Sequence, residues 1–164
     1  MKAIVVYESL WGNTAAVARA IAEGIGPDAT ALSTADAVGD RLDGAELLVA
    51  GAPLLGFSLP TDAMRENIRT TPGVPTPPDL SAPSMRSWLS GLTSGGGRCA
   101  AFETRIWWSP GSAAKTIQTE LEAAGFKAVA KPEKFIVTGK YGPLKDGELE
   151  RARAWGAQLA RSAG

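Results

Sequence analysis

Ala3-Ile4-Val5-Val6-Tyr7 is an unbroken apolar run rich in β-branched side chains, and it stops abruptly at Glu8 and Ser9. A strand with one wet face alternates polar and apolar residues. A continuous run suits a strand covered on both faces, as in the middle of a parallel sheet. A parallel neighbour must be reached through a crossover, and the next residues supply one. Over 14–25, Val17, Ala20, Ile21, Gly24 and Ile25 fall on one helical stripe, with Arg19 and Glu23 off it.

The same alternation continues along the chain. A weaker strand is predicted at 29–33 and a short helix near 36–43. Leu47-Leu48-Val49-Ala50 reads as the second strong buried strand and Cys99-Ala100-Ala101-Phe102 as the third. Residues 112–124 space Ala113, Ile117, Leu121 and Ala124 for one helical face. Ala128 to Ala130 and Phe135 to Val137 supply the last strand, broken by Pro132. Asp146 is placed to cap a final helix lined by Leu149, Ala152, Trp155 and Leu159. The pattern predicts an α/β fold with a doubly wound parallel sheet, forming one domain over 1–164. A 45-residue stretch between Ala52 and Arg98 holds Pro72, Pro75, Pro77, Pro78 and Pro83. Residues 70–83 are expected as a stiff, extended surface loop. A helix is expected at 84–92, with Met85, Trp88, Leu89 and Leu92 inward.

Composition removes several function classes. The chain has no His, which excludes His-based acid–base schemes and His-ligated metals. Its single Cys99 excludes an internal disulfide, a four-cysteine zinc site and a cysteine-held iron–sulfur cluster. No metal site and no catalytic residue set is expected. Cys99 lies in an apolar strand and reads as inert core. Seventeen basic residues balance 17 acidic ones, so phosphate neutralisation offers no basis for nucleic-acid binding. The longest largely apolar stretch, Leu47 to Phe57, contains Gly51, Pro53 and Gly56, so no membrane span is expected. The apolar start is too short for a secretory leader, and a cytoplasmic location is the expectation. The balance hides a polarity: residues 1–82 hold 10 acids and 5 bases, residues 83–164 hold 7 acids and 12 bases. Lys127, Lys131, Lys134, Lys140 and Lys145 form a late basic cluster. It reads as a solvated face, with a docking patch for an acidic partner as the other reading.

Ser9-Leu10-Trp11-Gly12-Asn13-Thr14 joins the first strand directly to the first helix. Such a loop can wrap backbone N–H groups around an anion, while the helix end adds roughly half a positive charge. Ser9, Asn13 and Thr14 offer further donors, and Gly12 permits the positive φ of a tight wrap. As a plain βα turn the same segment would place Asn13 or Thr14 at the N-cap. No G-x-G-x-x-G follows the first strand and no G-x-x-x-x-G-K-[ST] occurs. A phosphoacceptor receiver is excluded because the third strand ends in Gly51-Ala52-Pro53, without the Asp it needs.

This loop resembles the S/T-x-T-G-N-T phosphate loop of flavodoxins, with Ser9, Gly12, Asn13 and Thr14 matching. Trp11 stands where the family has Thr; flavodoxin-like quinone reductases also carry an aromatic there. Gly51-Ala52-Pro53-Leu54-Leu55-Gly56 is similar to the loop after strand 3, which lies against one flavin face. Phe102-Glu103-Thr104-Arg105-Ile106-Trp107 is similar to the loop after strand 4, which covers the other. The resemblance implies a five-stranded sheet of order 2-1-3-4-5 with helices on both faces, and FMN as cofactor. The site residues it implies are Ser9 to Thr14, then Pro53, Leu54, Leu55 and Gly56, then Thr104, Arg105, Trp107 and Trp108. Ligands of open α/β sheets sit outside the carboxyl ends of strands at the switch in strand order, where these loops converge. Leu55 and Trp107 are expected as apolar walls, Gly56 as the pivot of a peptide flip at Leu55–Gly56, and Arg105 as a cation beside the flavin.

The function implied is electron transfer between redox partner proteins, with the chain tuning the flavin and carrying out no bond chemistry. Two alternatives stand beside it. One is an FMN-dependent NAD(P)H:quinone oxidoreductase, suggested by Trp11. The other is a flavodoxin-like binding module without flavin. Flavodoxins are typically acidic, so this neutral, polarised chain departs from the family in the surface it offers a partner.

Overall fold

The protein is described here by a computed structural model covering residues 1–164. Six segments form a parallel sheet of five positions: β1 (Ala3–Tyr7), β2 (Ala29–Ser33), β3 (Leu47–Pro53), β4 (Arg98–Ile106), and a last position shared by β5 (Lys127–Ala128) and β6 (Glu133–Val137). The order is β2-β1-β3-β4-β5, with β6 also on β4. β5 pairs Arg98 and Cys99, while β6 pairs Phe102 to Ile106. Pro132 lies between them, and a residue without an N–H cannot continue the ladder.

The helices are α1 (Asn13–Ile25), α2 (Asp62–Thr70), α3 (Met85–Ser90), α4 (Ala114–Ala123) and α5 (Glu148–Ala163). Strand pleating sends alternate side chains to opposite faces, which produces two cores. Ala3, Val5, Leu47, Val49, Ala100 and Phe102 meet α1 and α5 through Val17, Ile21, Ala152 and Trp155. Ile4, Val6, Leu48, Ala50, Cys99 and Ala101 meet α3 and α4 through Met85, Trp88, Ile117 and Leu121. The doubly wound sheet expected from the sequence is present, with Trp88 and Trp155 in its two cores.

Several boundaries differ from expectation. The 36–43 segment is a single 3-10 turn at Gly39–Leu42. α2 lies where the sequence reading named no element; Arg65 is its one fully buried side chain, with Met64 and Ile68 half-buried on the same face. α3 spans only Met85–Ser90, capped by Ser84, whose Oγ accepts from the Ser87 N–H at 3.1 Å. α5 starts at Glu148, and Asp146 makes no cap because Gly147 holds the N-cap position with φ 87°. β4 runs on to Ile106, so Glu103, Thr104 and Arg105 belong to a strand, not to the loop beyond it. The sheet extends them because Pro53 pairs Thr104 on one side and Val137 pairs Ile106 on the other. Residues 71–83 contain no helix or strand, as expected, but they are pinned to the body. The Asp79 N–H donates to Leu10 O at 2.8 Å, Thr34 Oγ1 to Pro83 O at 2.6 Å, and Arg65 Nη2 to Ala82 O at 2.6 Å. No helix is long and apolar enough to cross a membrane.

Candidate functional site

The carboxyl ends of β1, β3 and β4 bring together the three segments singled out in the sequence. The 9–14 loop ends at Gly12, which holds φ 91° and serves as N-cap of α1 without a side-chain cap. Neither Asn13 nor Thr14 caps the helix; both are inside it. The first amides of a helix have no intrahelical acceptor. The only hydrogen bond from a loop amide is Gly12 N–H to Ser9 Oγ at 3.1 Å. The N–H groups of Ser9, Leu10, Trp11, Asn13, Thr14 and Ala15 find no acceptor within the chain. Six unclaimed donors at the positive end of a 13-residue helix make this loop a candidate anion cradle. No Lys or Arg lies in 8–14, so the cradle's donors are neutral.

The loop's side chains are more committed than its backbone. Thr14 Oγ1 and Thr104 Oγ1 share a buried hydrogen bond of 2.8 Å. Asn13 Nδ2 donates to Tyr141 O at 3.3 Å. Leu10 is buried. Trp11 stands edge-on to Tyr141, with centroids 4.7 Å apart, and its Nε1 donates to Thr76 O at 3.0 Å. Trp11 therefore joins the loop to the proline-rich segment. On that side lies a cavity of about 670 Å³, bordered by Tyr7, Trp11, Arg19, Asp36, Asp79 and Tyr141.

After β3 the chain makes a two-residue turn. Leu55 N–H donates to Ser58 O and Ser58 N–H to Leu55 O, both at 3.0 Å. Gly56 and Phe57 both carry positive φ, 53° and 67°, the signature of a type I′ hairpin turn. The exposed central peptide is Gly56–Phe57, one residue beyond the Leu55–Gly56 position read from the sequence. Leu54 and Leu55 are buried, and Leu54 N–H bonds Thr104 O at 2.9 Å. Phe57, absent from the sequence reading, is the apolar side chain this turn exposes, at 59%.

After β4 the loop folds around a buried cation. Arg105 is 5% exposed; Nη1 bonds Glu103 Oε2 and Gly111 O, both at 3.0 Å, and Nε bonds Ile106 O at 3.3 Å. Its charge is thus compensated inside the protein, which removes the expected free cation beside a ligand. Glu103 Oε1 also accepts from Ser112 Oγ at 2.9 Å and from the Ala114 N–H at 3.1 Å. Trp107 and Trp108 project from this pinned loop, 75% and 63% exposed. The two loops touch: Ser58 bridges Ser112, and a Cβ on Gly111 would lie 1.9 Å from Phe57 O.

A second buried carboxylate, Glu8, follows β1 directly. Glu8 Oε1 accepts from the Met85 N–H at 2.8 Å, and Oε2 lies 3.3 Å from Arg65 Nε. Burial pushes the Glu8 carboxyl above its ordinary pKa, against the opposing pull of the Met85 amide and Arg65. A narrow cleft of about 50 Å³ connects the cradle to both loops, bordered by Ser9, Thr14, Pro53, Leu55, Thr104 and Lys140. Of the residues singled out, 9–14, 53–55, 104 and 105 border this cleft except Gly12; Gly56, Trp107 and Trp108 stand outside it. The late basic cluster does not hold together. Lys127 is beside Arg98 at the amino end of β4, whereas Lys140 is at the cleft.

Comparison with known proteins bears on these loops. The sequence matches the family described as Flavodoxin over residues 5–155. No curated protein matches the chain. An archaeal flavodoxin structure is similar with TM-score 0.69 and 24% identity, covering 99% of each chain. Flavodoxin 1 from Bacillus cereus gives 0.67 and 18%, covering 98% of each chain. A flavodoxin, WrbA-like protein from Agrobacterium tumefaciens gives 0.60 and 21%, covering 99% of this chain and 96% of its own. The strand order, the amide cradle at the first helix and the match over 5–155 place this chain in the flavodoxin family, whose members bind FMN and transfer electrons to redox partner proteins.

Proposed function

We propose that this chain is an electron carrier that holds FMN by its phosphate in the 9–14 loop and by its ring against the turn after β3 and the end of β4 with the loop that follows it. The observation that carries the reading is the set of six loop amides without an acceptor at the start of α1. Their chemistry fits a phosphate dianion: neutral N–H donors converge where the helix dipole is positive. The outer loops fit a flat apolar ring. The cleft itself is narrow, and the exposed apolar surface lies just beyond it on Phe57, Trp107 and Trp108. Trp107 is the residue we assign to the ring face. Thr14 and Thr104 fix the loop against β4, and Leu55 closes the inner wall. When bound, FMN supplies the redox chemistry; the chain holds, orients and partly shields it.

Titration of the flavin-free protein with FMN and with riboflavin tests this. Charge-assisted bonds to the phosphate, each worth about 1.5–3 kcal/mol, make FMN bind at least tenfold more tightly. Trp107→Ala lowers the affinity for both ligands by about 1–3 kcal/mol, taking base–aromatic stacking as the nearest magnitude, and Trp108→Ala lowers it less. Equal affinity for FMN and riboflavin removes the phosphate assignment, and no spectral change with either leaves the flavin-free module. Sustained NADPH oxidation by a quinone, with no partner protein present, makes the chain an enzyme instead.

A further inference from the structure

The aromatic rim of the site has the makings of a docking surface with a definite charge. Only five large apolar side chains are exposed in the whole chain, and Phe57, Trp107 and Trp108 are three of them. They sit on two loops that abut through Gly111 and Phe57, and none of the three stacks on another aromatic ring. Exposed tryptophans grouped this way mark sites of protein association, where they act as anchors.

The rim is also held in shape before anything binds. Arg105 reaches up from β4 to grip Ile106 O and Gly111 O, at the two ends of the segment that carries both tryptophans. Glu103 fixes the next residues through Ser112 Oγ and the Ala114 N–H. A loop fixed at both ends loses little freedom on docking.

The charges around it are one-sided. Exposed Lys115 follows directly, its N–H bonded to Ser112 Oγ at 3.1 Å. Arg86, also exposed, donates twice to Leu59 O in the other loop, at 3.0 and 2.8 Å. Lys140 is exposed at the cleft beside Ile106. Against these cations stands exposed Asp62, which lies 4.0 Å from Arg65. Glu8 and Glu103 are buried and face Arg65 and Arg105, so they do not offset the rim.

We propose that this rim docks an acidic redox protein, with Trp108 and Phe57 as apolar anchors and Lys115, Lys140 and Arg86 facing its carboxylates. The proposal rests on the electron-carrier reading above and specifies its partner. In the transfer step one electron leaves the reduced flavin for the partner's oxidised one-electron centre. Dithionite supplies the reducing equivalents in the experiment.

Two purified haem proteins serve as probes: an acidic ferric cytochrome of the b5 class and a basic ferric c-type cytochrome. Binding is read from amide shifts of isotope-labelled protein, FMN-loaded and flavin-free, and transfer from stopped-flow oxidation of the reduced, FMN-loaded form. The acidic probe is expected to bind at the 56–58 and 106–115 amides and to be reduced faster than the basic one. Its association should slow steeply from low (~0.01 M) to high (~1 M) ionic strength. Lys115→Glu with Lys140→Glu should cost roughly tenfold in its association rate, and Trp108→Ala should speed dissociation without altering the salt slope. Preference for the basic cytochrome, a salt-independent rate, or shifts confined to another face would overturn the proposal. Shifts on the flavin-free protein report docking alone, so a failure to bind FMN is told apart from a failure to dock.

Discussion

Gly12 and Gly111 share the same φ, 91°, and differ in what surrounds them. A Cβ on Gly12 meets nothing within 4 Å, whereas on Gly111 it lies 1.9 Å from Phe57 O and 2.7 Å from Phe57 C. Replacing each by alanine therefore separates two costs. Both variants bear the left-handed backbone strain of an L-residue, roughly 1–2 kcal/mol. Gly111→Ala adds a clash with backbone, which cannot rotate away as a side-chain tip would. Overpacking of that kind costs about 1–3 kcal/mol more. Urea unfolding of the flavin-free proteins should give losses of ~1–2 kcal/mol for Gly12→Ala and ~2–5 kcal/mol for Gly111→Ala.

Ligand binding should divide the pair differently. Gly12→Ala disturbs the amides that precede and follow it, so FMN should weaken while riboflavin is little affected. Gly111→Ala pushes the two ring-bearing loops apart, so both ligands should weaken together. If Gly111→Ala proves no more destabilising than Gly12→Ala, the two loops do not abut and the rim built on their contact is wrong. If the two variants weaken FMN and riboflavin in the same ratio, the phosphate and ring positions are not the separate regions assigned here.

Further expectations follow from individual residues. Phe57 holds φ 67° in a turn that favours Gly, Asn or Asp, so Phe57→Asn should stabilise the protein by up to about 1 kcal/mol in urea unfolding; a loss would mean its exposed ring contributes packing. Glu8 has a raised pKa because it is buried, so folding is favoured by its protonation and stability falls as pH climbs from the ordinary carboxylate range through the raised value. The stability of Glu8→Gln relative to the parent should therefore grow with pH across that window, and a flat difference would contradict the burial argument. Glu148 has the opposite sign: hydrogen bonds from Arg151 first, and from the Ile136 N–H, hold its pKa low, so its contribution is present above the ordinary range and lost as pH falls through the lowered value. Glu148→Gln should flatten the acid limb of the unfolding curve. Burial pushes the Cys99 thiol up to about 11, so alkylation at neutral pH should proceed only as fast as the protein opens globally.

Much of this architecture is legible in local pattern. The runs at 3–6, 47–50 and 99–102 are buried on both sides in the structure, and a two-sided core demands that kind of run. Pro132 signalled the split of the last strand for a reason confined to one residue: it lacks an N–H. The 9–14 segment was legible as a βα connection because it is short and lies between a buried strand and an amphipathic helix, and the structure leaves its amides unclaimed. α2 was not legible. Its one fully buried side chain is Arg65, held by an ion pair, and only two half-buried apolar residues, Met64 and Ile68, mark its inner face over nine residues. The Thr61 cap, whose Oγ1 accepts from the Met64 N–H at 3.2 Å, was the available local signal. Gly56 was read as the pivot of a Leu55–Gly56 peptide; pairing of Leu55 with Ser58 makes Gly56–Phe57 the turn's central peptide.

The residues hardest to read were the charges inside β4 and at the end of β1, because their partners are remote or lie around a turn. Glu103 breaks an apolar run and so suggests a strand end. In the fold its carboxylate accepts from the Ala114 N–H, at the start of a helix that has no side-chain cap of its own. Glu8 does the same for Met85, 77 residues away. Each carboxylate faces an arginine, and each arginine in turn donates to loop carbonyls: Arg105 to Ile106 and Gly111, Arg65 to Ala82. Buried charges of this kind are costly unless paired, so both pairs tie segments flanking the site to the strand ends beneath it. They also compensate the charges of two arginines within the protein. What is left facing the cradle is a set of neutral amides, and what is left facing outward at the rim is Lys115, Lys140 and Arg86. The chain's formal charge of zero therefore says little about its site, which separates into a neutral interior and a basic edge.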